Sequence, residues 1–171
     1  MHLARPSLEL EQAYLDYISE WENSNEKIVP YAARREGMSF SDLLSRWEYE
    51  STENVRGKGF VPASLFFYID DDRRIVGALH IRHELNEYLL HSGGHIGYGI
   101  RPKERLKGHA AKMLEMSLPL AKQLGLEKVL VCCDKVNTGS AKTIIKNGGV
   151  LENEVITQKE VVQRYWINIG V

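Results

Sequence analysis

The sequence predicts an α+β fold in which helices flank a sheet. Its N-terminal third repeats apolar residues with the 3.6-residue period of amphipathic helices. The remainder alternates short apolar runs with helical stretches and closes on two strands. No repeat, linker or low-complexity segment interrupts the 171 residues, so residues 1–171 are expected to form one domain around a single core. A hydrophobic content of 43% against 26% charged residues argues against disorder.

The first helix follows from Leu10, Ala13, Tyr14, Tyr17, Ile18 and Trp21, which share one face. Ser7 is its expected N-cap, with Glu9 and Glu11 in the first turn. A second helix is expected from Ser39, with Asp42 as capping partner and Phe40, Leu43, Leu44 and Trp47 as its inner stripe. Arg56-Gly57-Lys58-Gly59 reads as loop. Two strands, Ala63 to Ile69 and Arg74 to Leu85, form a hairpin around the polar cluster Asp70-Asp71-Asp72-Arg73. On the second of these Leu79, Ile81 and Leu85 share one face and His80, Arg82 and Glu84 the other, a core face and a wall for a cleft. Asn86 to Gly94 are a connection.

The stretch from His95 to Gly149 is the most informative. His95 to Ile100 reads as a strand, and the glycines of Gly93-Gly94-His95-Ile96-Gly97-Tyr98-Gly99 alternate with apolar residues as in a bulged strand. No Gly-Lys-Ser/Thr follows to make a nucleotide loop. After Arg101-Pro102, the loop Arg105-Leu106-Lys107-Gly108-His109-Ala110 opens directly into a helix carrying Met113, Leu114, Ser117, Ala121 and Leu124. Gly125 closes that helix, and Pro119 should kink it or leave one carbonyl unpaired. Val129 to Cys133 is continuously apolar, as in a central strand covered on both faces. Asn137-Thr138-Gly139-Ser140 opens a helix from Ser140 to Lys146 that presents Ala141, Ile144 and Ile145 and ends at Gly148-Gly149. Val150 to Val171 then gives two strands around a turn near Gln158-Lys159-Glu160.

A small basic turn containing glycine at a helix N-terminus is a place to hold a phosphate anion. The first-turn N–H groups are free, the helix dipole favours negative charge, Gly108 lets the backbone approach closely, and Arg105 and Lys107 add charge. A formal net charge of −1 argues against a nucleic-acid partner. No run of 18 apolar residues occurs and Met1 to Pro6 lacks a signal-peptide core, so a cytoplasmic protein with no membrane partner is expected. Cys132 and Cys133 are strand neighbours that point to opposite faces and cannot staple a framework. As a nucleophile Cys133 would need an activating base and an oriented third group, and it reads instead as a buried strand cysteine. Among six histidines, His80 and His83 face opposite ways and no acidic or cysteine cluster completes a ligand set, so no metal is expected.

Arg105-x-x-Gly108-x-Ala110 resembles the pyrophosphate-binding signature (Gln/Arg-x-x-Gly-x-Gly/Ala) of the GNAT superfamily of N-acetyltransferases, and the resemblance covers about residues 60 to 168. Ile96 to Ala110 is similar to the family's fourth strand and its loop, and Asn137-x-x-Ser140-x-x-x-Ile144-x-x-x-Gly148-Gly149 to its next helix. Arg164-Tyr165-Trp166-Ile167 looks like the closing strand of a bacterial subgroup. The resemblance implies a mixed, mostly antiparallel twisted sheet flanked by helices. A splayed gap is expected between the fourth and fifth strands, here His95 to Arg101 and Val129 to Cys133. It also implies acetyl-CoA as cosubstrate, cradled by Arg105, Leu106, Lys107, Gly108, His109 and Ala110. The pantetheine arm is expected to pair at Ile100 and Arg101 like an added strand, with Asn137 and Ser140 meeting the same ligand.

The reaction implied is direct attack of a primary amine, of a small molecule or peptide, on the thioester in a ternary complex, with backbone N–H near Ile100 stabilising the oxyanion. Glu84, Tyr98 and His80 are the candidate bases, with Asp134 behind them. Ile144 departs from the family pattern, because many members carry a Tyr there to protonate the leaving thiolate and an aliphatic side chain cannot. That keeps open a second class, a non-catalytic acyl-CoA-binding or sensing protein on the same fold. The acceptor pocket is expected from the N-terminal helices and the Asn86 to Gly94 connection, where Trp47, Glu48 and Glu50 would favour a cationic amine. The resemblance also allows a homodimer.

Overall fold

The computed structural model describes residues 1–170, which fold into two antiparallel sheets. The first has the order β1 (His2–Ala4), β2 (Ala63–Ile69), β3 (Ile75–Arg82), β4 (Ile96–Ile100). In the second, β7 (Val161–Asn168) lies between β5 (Lys128–Asp134) and β6 (Val150–Ile156). Helices α1 (Glu11–Asn23) and α2 (Phe40–Glu50) cover one face of the first sheet, where Tyr14, Tyr17, Trp21, Phe40, Leu43 and Trp47 pack on Leu65, Phe67 and Ala78. Phe67 sits at the centre, its ring 5.9, 6.5 and 5.7 Å from those of Tyr14, Tyr17 and Trp47. The other face carries α3 (His109–Gln123) and α4 (Thr138–Lys146). There Phe66, Tyr68, Leu79 and Ile81 join Met113, Leu114, Ile144 and the inner side of the second sheet. Covered on both faces, β2 is buried along its whole length, so its sequence is apolar without alternation.

β4 and β5 are neighbours without a ladder. They meet at one end, where the His95 N–H donates to Leu130 O at 2.7 Å and the Leu130 N–H donates to His95 Nδ1 at 2.9 Å. The imidazole stands in for a backbone acceptor, and no further hydrogen bond joins the two strands among the described residues. Gly94 is required at this junction: its φ is +68°, and a Cβ there would lie 2.7 Å from Leu130 O.

Local signals hold where they are local. Ser39 caps α2, its Oγ accepting the Asp42 N–H at 3.2 Å and donating to the Asp42 carboxylate at 2.6 Å. At the end of α3, Gly125 takes a left-handed φ of +85°, with Gly125 N–H donating to Lys122 O and Leu126 N–H to Ala121 O. Three expectations are corrected. Ser7 precedes a short 3-10 turn (Leu8–Leu10) rather than α1 and makes no side-chain cap, because residues 2–4 are taken up as an edge strand against β2. β3 ends at Arg82, leaving Glu84 and Leu85 outside it. Pro119 acts as the second of its two expected alternatives: α3 runs on through it, and the one C=O left without a helical partner belongs to exposed Glu115. β5 is not central, since its outer edge faces the gap and Cys132 is half-buried. Among the described residues no helix is long and apolar enough to cross a membrane.

Candidate active site

The loop before α3 is built to receive an anion. Leu106 and Gly108 both have left-handed backbones, with φ of +61° and +84°, which turns successive N–H groups toward one side. None of the N–H groups from Leu106 to Ala111 has an acceptor among the described residues, and they open the 15-residue α3. A Cβ on Gly108 would meet nothing within 4 Å, so glycine is needed there for conformation rather than for space.

A cavity of about 520 Å³ adjoins this loop and occupies the mouth of the gap. Tyr98, Gly99 and Ile100 line it from β4; Arg105, Leu106, Gly108, His109, Ala110 and Ala111 from the loop; and Asn137, Gly139, Ser140 and Thr143 from α4. Trp21, Glu26, Lys27 and Val29 close it from the end of α1 and the segment beyond. The edge of β4 has no partner strand here, and of its gap-facing groups Ile100 O accepts from Arg105 Nε. Arg82 N–H donates to His95 O at 2.8 Å and Arg101 N–H to Val76 O at 2.9 Å. The antiparallel alternation therefore points the backbone groups of Tyr98 and Ile100 away from β3, toward the gap.

The predicted residues separate by position. Ile100, Arg105, Leu106, Gly108, His109, Ala110, Asn137 and Ser140 line the cavity with Tyr98. Arg101, Lys107, His80, Glu84 and Asp134 do not. Arg101 is 2% exposed, and its guanidinium binds Asp16 at 2.9 Å, Glu20 at 2.6 Å and Ile75 O at 3.0 Å, clamping α1 to the sheet. Lys107 turns back on Glu104 at 2.8 Å and holds that carboxyl below its ordinary range. Arg105 stretches across the cavity mouth. Its Nη1 is 2.8 and 3.0 Å from the two Glu26 oxygens, its guanidinium lies over the Trp21 ring, and its Nε donates to Ile100 O at 3.1 Å. Asn137 Oδ1 accepts the Ser140 N–H at 3.0 Å and so caps α4.

The titratable groups have distinct chemistry. Tyr98 OH is 2.8 Å from Ser140 Oγ, and burial pushes the phenol up to about 12, so it carries its proton at neutral pH. His80 lies on the opposite face, pushed down to about 3 by burial and then by Arg82, His83 and Arg46, which makes it a weak proton acceptor. Glu84 pairs with Arg56 at 2.9 Å beyond the end of β3. Burial drives the Cys132 thiol up to about 12 and raises that of Cys133, and a neutral thiol is a poor nucleophile. Ile144 is fully buried in the core beneath α4 rather than in the cavity. Among the described residues no three His, Cys, Asp or Glu side chains gather as a metal site. Sequence reasoning did not reach Glu26, Lys27, Val29 or Thr143. Trp21 was visible only as part of a helix's inner face.

Two antiparallel sheets splay around a loop of unpaired N–H groups at the start of a long helix, with a strand edge that has no partner strand beside it. Residues 6–150 match the model of the acetyltransferase (GNAT) domain, and the chain belongs to that family of acetyltransferases. Known structures share the fold at low identity. A variant of spermidine N-acetyltransferase SpeG from Vibrio cholerae superposes with a TM-score of 0.68 at 17% identity, over 99% of this chain and 96% of that one. The ribosomal-protein-S5-alanine acetyltransferase from Vibrio fischeri gives 0.69 at 15%, over 97% and 91%. RimL, a ribosomal L7/L12 alpha-N-protein acetyltransferase in complex with coenzyme A, gives 0.69 at 13%, over 98% and 93%. No curated protein sequence matches the chain.

Proposed function

We propose that residues 1–171 act as one N-acetyltransferase domain that transfers the acetyl group of acetyl-CoA directly to a primary amine in a ternary complex. The observation that carries this reading is the run of unpaired N–H groups from Leu106 to Ala111 beside the edge of β4 that has no partner strand. The loop N–H groups bind the pyrophosphate, and the Tyr98 and Ile100 edge pairs with the amides of the pantetheine arm as a strand would. When bound, acetyl-CoA supplies the activated thioester. The Ile100 N–H, fixed by the β3–β4 ladder, donates to the carbonyl oxygen as negative charge develops on it. Tyr98, protonated and reaching α4 from the strand, gives its proton to the departing thiolate and takes the place that Ile144 leaves vacant. The amine loses its proton to water at the open mouth of the cleft.

The fold of this chain is shared by enzymes whose names give spermidine and ribosomal proteins as substrates, so the acceptor screen spans polyamines, amino acids and N-terminal peptides. Release of free CoA thiol above the uncatalysed rate with any of these supports transfer. Tight acetyl-CoA binding with no turnover on all of them would instead establish the acyl-CoA-binding alternative that Ile144 keeps open.

A further inference from the structure

Arg101 and Arg105 both reach back toward α1 and the residues after it, with different permanence. The Arg101 side chain is 3% exposed and its charge is met by Asp16 and Glu20, so releasing it would strand a buried ion. Arg105 pairs with Glu26 at 2.8 Å, but the two side chains are 38% and 46% exposed. An ion pair in that much water contributes little and breaks easily. The Arg105 guanidinium also lies over the Trp21 ring, 4.9 Å from its centroid, and its Nε donates to Ile100 O at 3.1 Å. One planar fork thus joins the wall formed by Trp21 and Glu26 to the edge of β4.

That contact falls on a group the site needs. The ladder with β3 turns Ile100 O toward the gap, and an arm adding itself to β4 as a strand would donate an N–H to this oxygen. Arg105 Nε already does so. The oxygen keeps a second lone pair. The guanidinium, however, also fills the space beside it, since Trp21, Glu26, Ile100 and Arg105 line one cavity. An arm laid along the strand therefore meets the side chain as well as its hydrogen bond. The loop N–H groups from Leu106 to Ala111 have no acceptor among the described residues, so the obstruction concerns the arm and not the pyrophosphate.

We propose that Arg105 is a latch on the edge of β4: held by Glu26 and Trp21, it covers Ile100 O, and the pantetheine arm of acetyl-CoA must displace it to pair there. The inference rests on the acetyltransferase reading above and adds a regulating contact to the same site. An edge that is open only part of the time lowers the apparent affinity by that fraction. The Glu26 pair therefore limits how tightly the protein takes its cosubstrate, and a substitution that weakens the pair strengthens binding.

The test is calorimetry with CoA and with ADP, which has a pyrophosphate but no arm. Glu26 is exposed, so Glu26→Gln should fold, as circular dichroism would verify. CoA should bind this variant about 3–10-fold more tightly than the wild type, as for an edge open in roughly one wild-type molecule in three to one in ten. ADP should bind both within a factor of about two, because the loop N–H groups are unchanged. Arg105→Lys keeps the charge, but a single ammonium cannot span Glu26 and Ile100 O as the fork does. It should tighten CoA as well, and Glu26→Gln added to it should bring less than about twofold more. Were Glu26→Gln unfolded, Arg105→Lys alone would carry the CoA and ADP comparison. Unchanged or weaker CoA binding in either folded variant would overturn the latch. So would ADP tightening as much as CoA, which would mean that the pair restrains the loop rather than the edge. A full Glu26→Gln effect in the Arg105→Lys background would take Arg105 out of it. Failure of the wild type and both variants to bind CoA at all would instead sink the acetyltransferase reading, and the latch with it.

Discussion

On the proposed mechanism Tyr98 takes the role that the family resemblance would give to a tyrosine at the position of Ile144. Ile144 is sealed in the core beneath α4, while Tyr98 crosses from β4 to touch Ser140 on the cavity side of the same helix. The sequence singles out Tyr98, but as a base. Its proton affinity is set by burial against α4, a contact between residues 42 apart that no local pattern encodes. On the proposed mechanism Tyr98→Phe lowers kcat by about 10–100-fold, since CoA thiolate is a tolerable leaving group, and leaves acetyl-CoA binding within a factor of about three. The wild-type rate should climb with pH toward the acceptor amine's own pKa, because His80, pushed down to about 3, is already neutral throughout that range and adds no inflection of its own. An unchanged kcat in Tyr98→Phe would reduce the phenol to a packing role. Gly108 separates two effects in the same way. Gly108→Ala adds only the strain of a left-handed Cβ, about 1–2 kcal/mol of stability, because the space around it is empty. Gly108→Asp adds a negative charge among the loop N–H groups. Calorimetry should find CoA affinity little changed in the first and reduced by more than tenfold in the second, and equal losses in both would mean the loop does not hold the anion.

Elements whose signals lie within a few residues were legible: the Ser39 cap, the Gly125 and Gly148 helix ends, the β2 boundaries and the loop into α3. Those that depend on distant partners were not. β1 is three residues that gain order only by pairing with β2, and the half-buried Cys132 reveals an edge at the gap that its apolar neighbours conceal. The β4–β5 junction is the clearest case, because a histidine side chain completes it. His95 is pushed down to about 4, chiefly by burial and then by Arg82. In the unfolded chain the same imidazole titrates near ~6.5, so below that pH the unfolded state binds a proton that the native state refuses. The stabilisation is complete above about 6.5 and is lost as pH falls toward 4, amounting to about 2 kcal/mol between pH 7 and 5. Denaturant titrations at the two pH values should show this loss. His95→Gln keeps an acceptor for the Leu130 N–H but cannot titrate, so it should flatten the dependence by that amount. A slope identical to wild type would place the acid sensitivity elsewhere.

At the scale of the whole molecule, the two sheets share the core around Met113, Leu114 and Ile144, yet the facing strands β4 and β5 are hydrogen-bonded only through His95 and Leu130 among the described residues. The unpaired loop amides and the gap-facing backbone of Tyr98 are polar groups that folding leaves without protein partners, and on the proposed function a ligand filling the gap satisfies both at once. A ligand that binds only this folded arrangement must stabilise the entire protein by mass action, by about 2.7 kcal/mol at a hundredfold excess over Kd. For a chain of 171 residues that corresponds to a rise in Tm of roughly 5–11 °C, at about 2–4 °C per kcal/mol. Acetyl-CoA and CoA should both produce the shift, since loop and edge bind the shared pyrophosphate and pantetheine. Pantetheine alone should give much less, because it leaves the Leu106 to Ala111 amides unpaired. Spermidine alone should give none. Differential scanning fluorimetry on wild type and Gly108→Asp measures each arm. A shift with acetyl-CoA that survives Gly108→Asp undiminished would place the ligand outside the gap, and with it the mechanism built on the edge of β4.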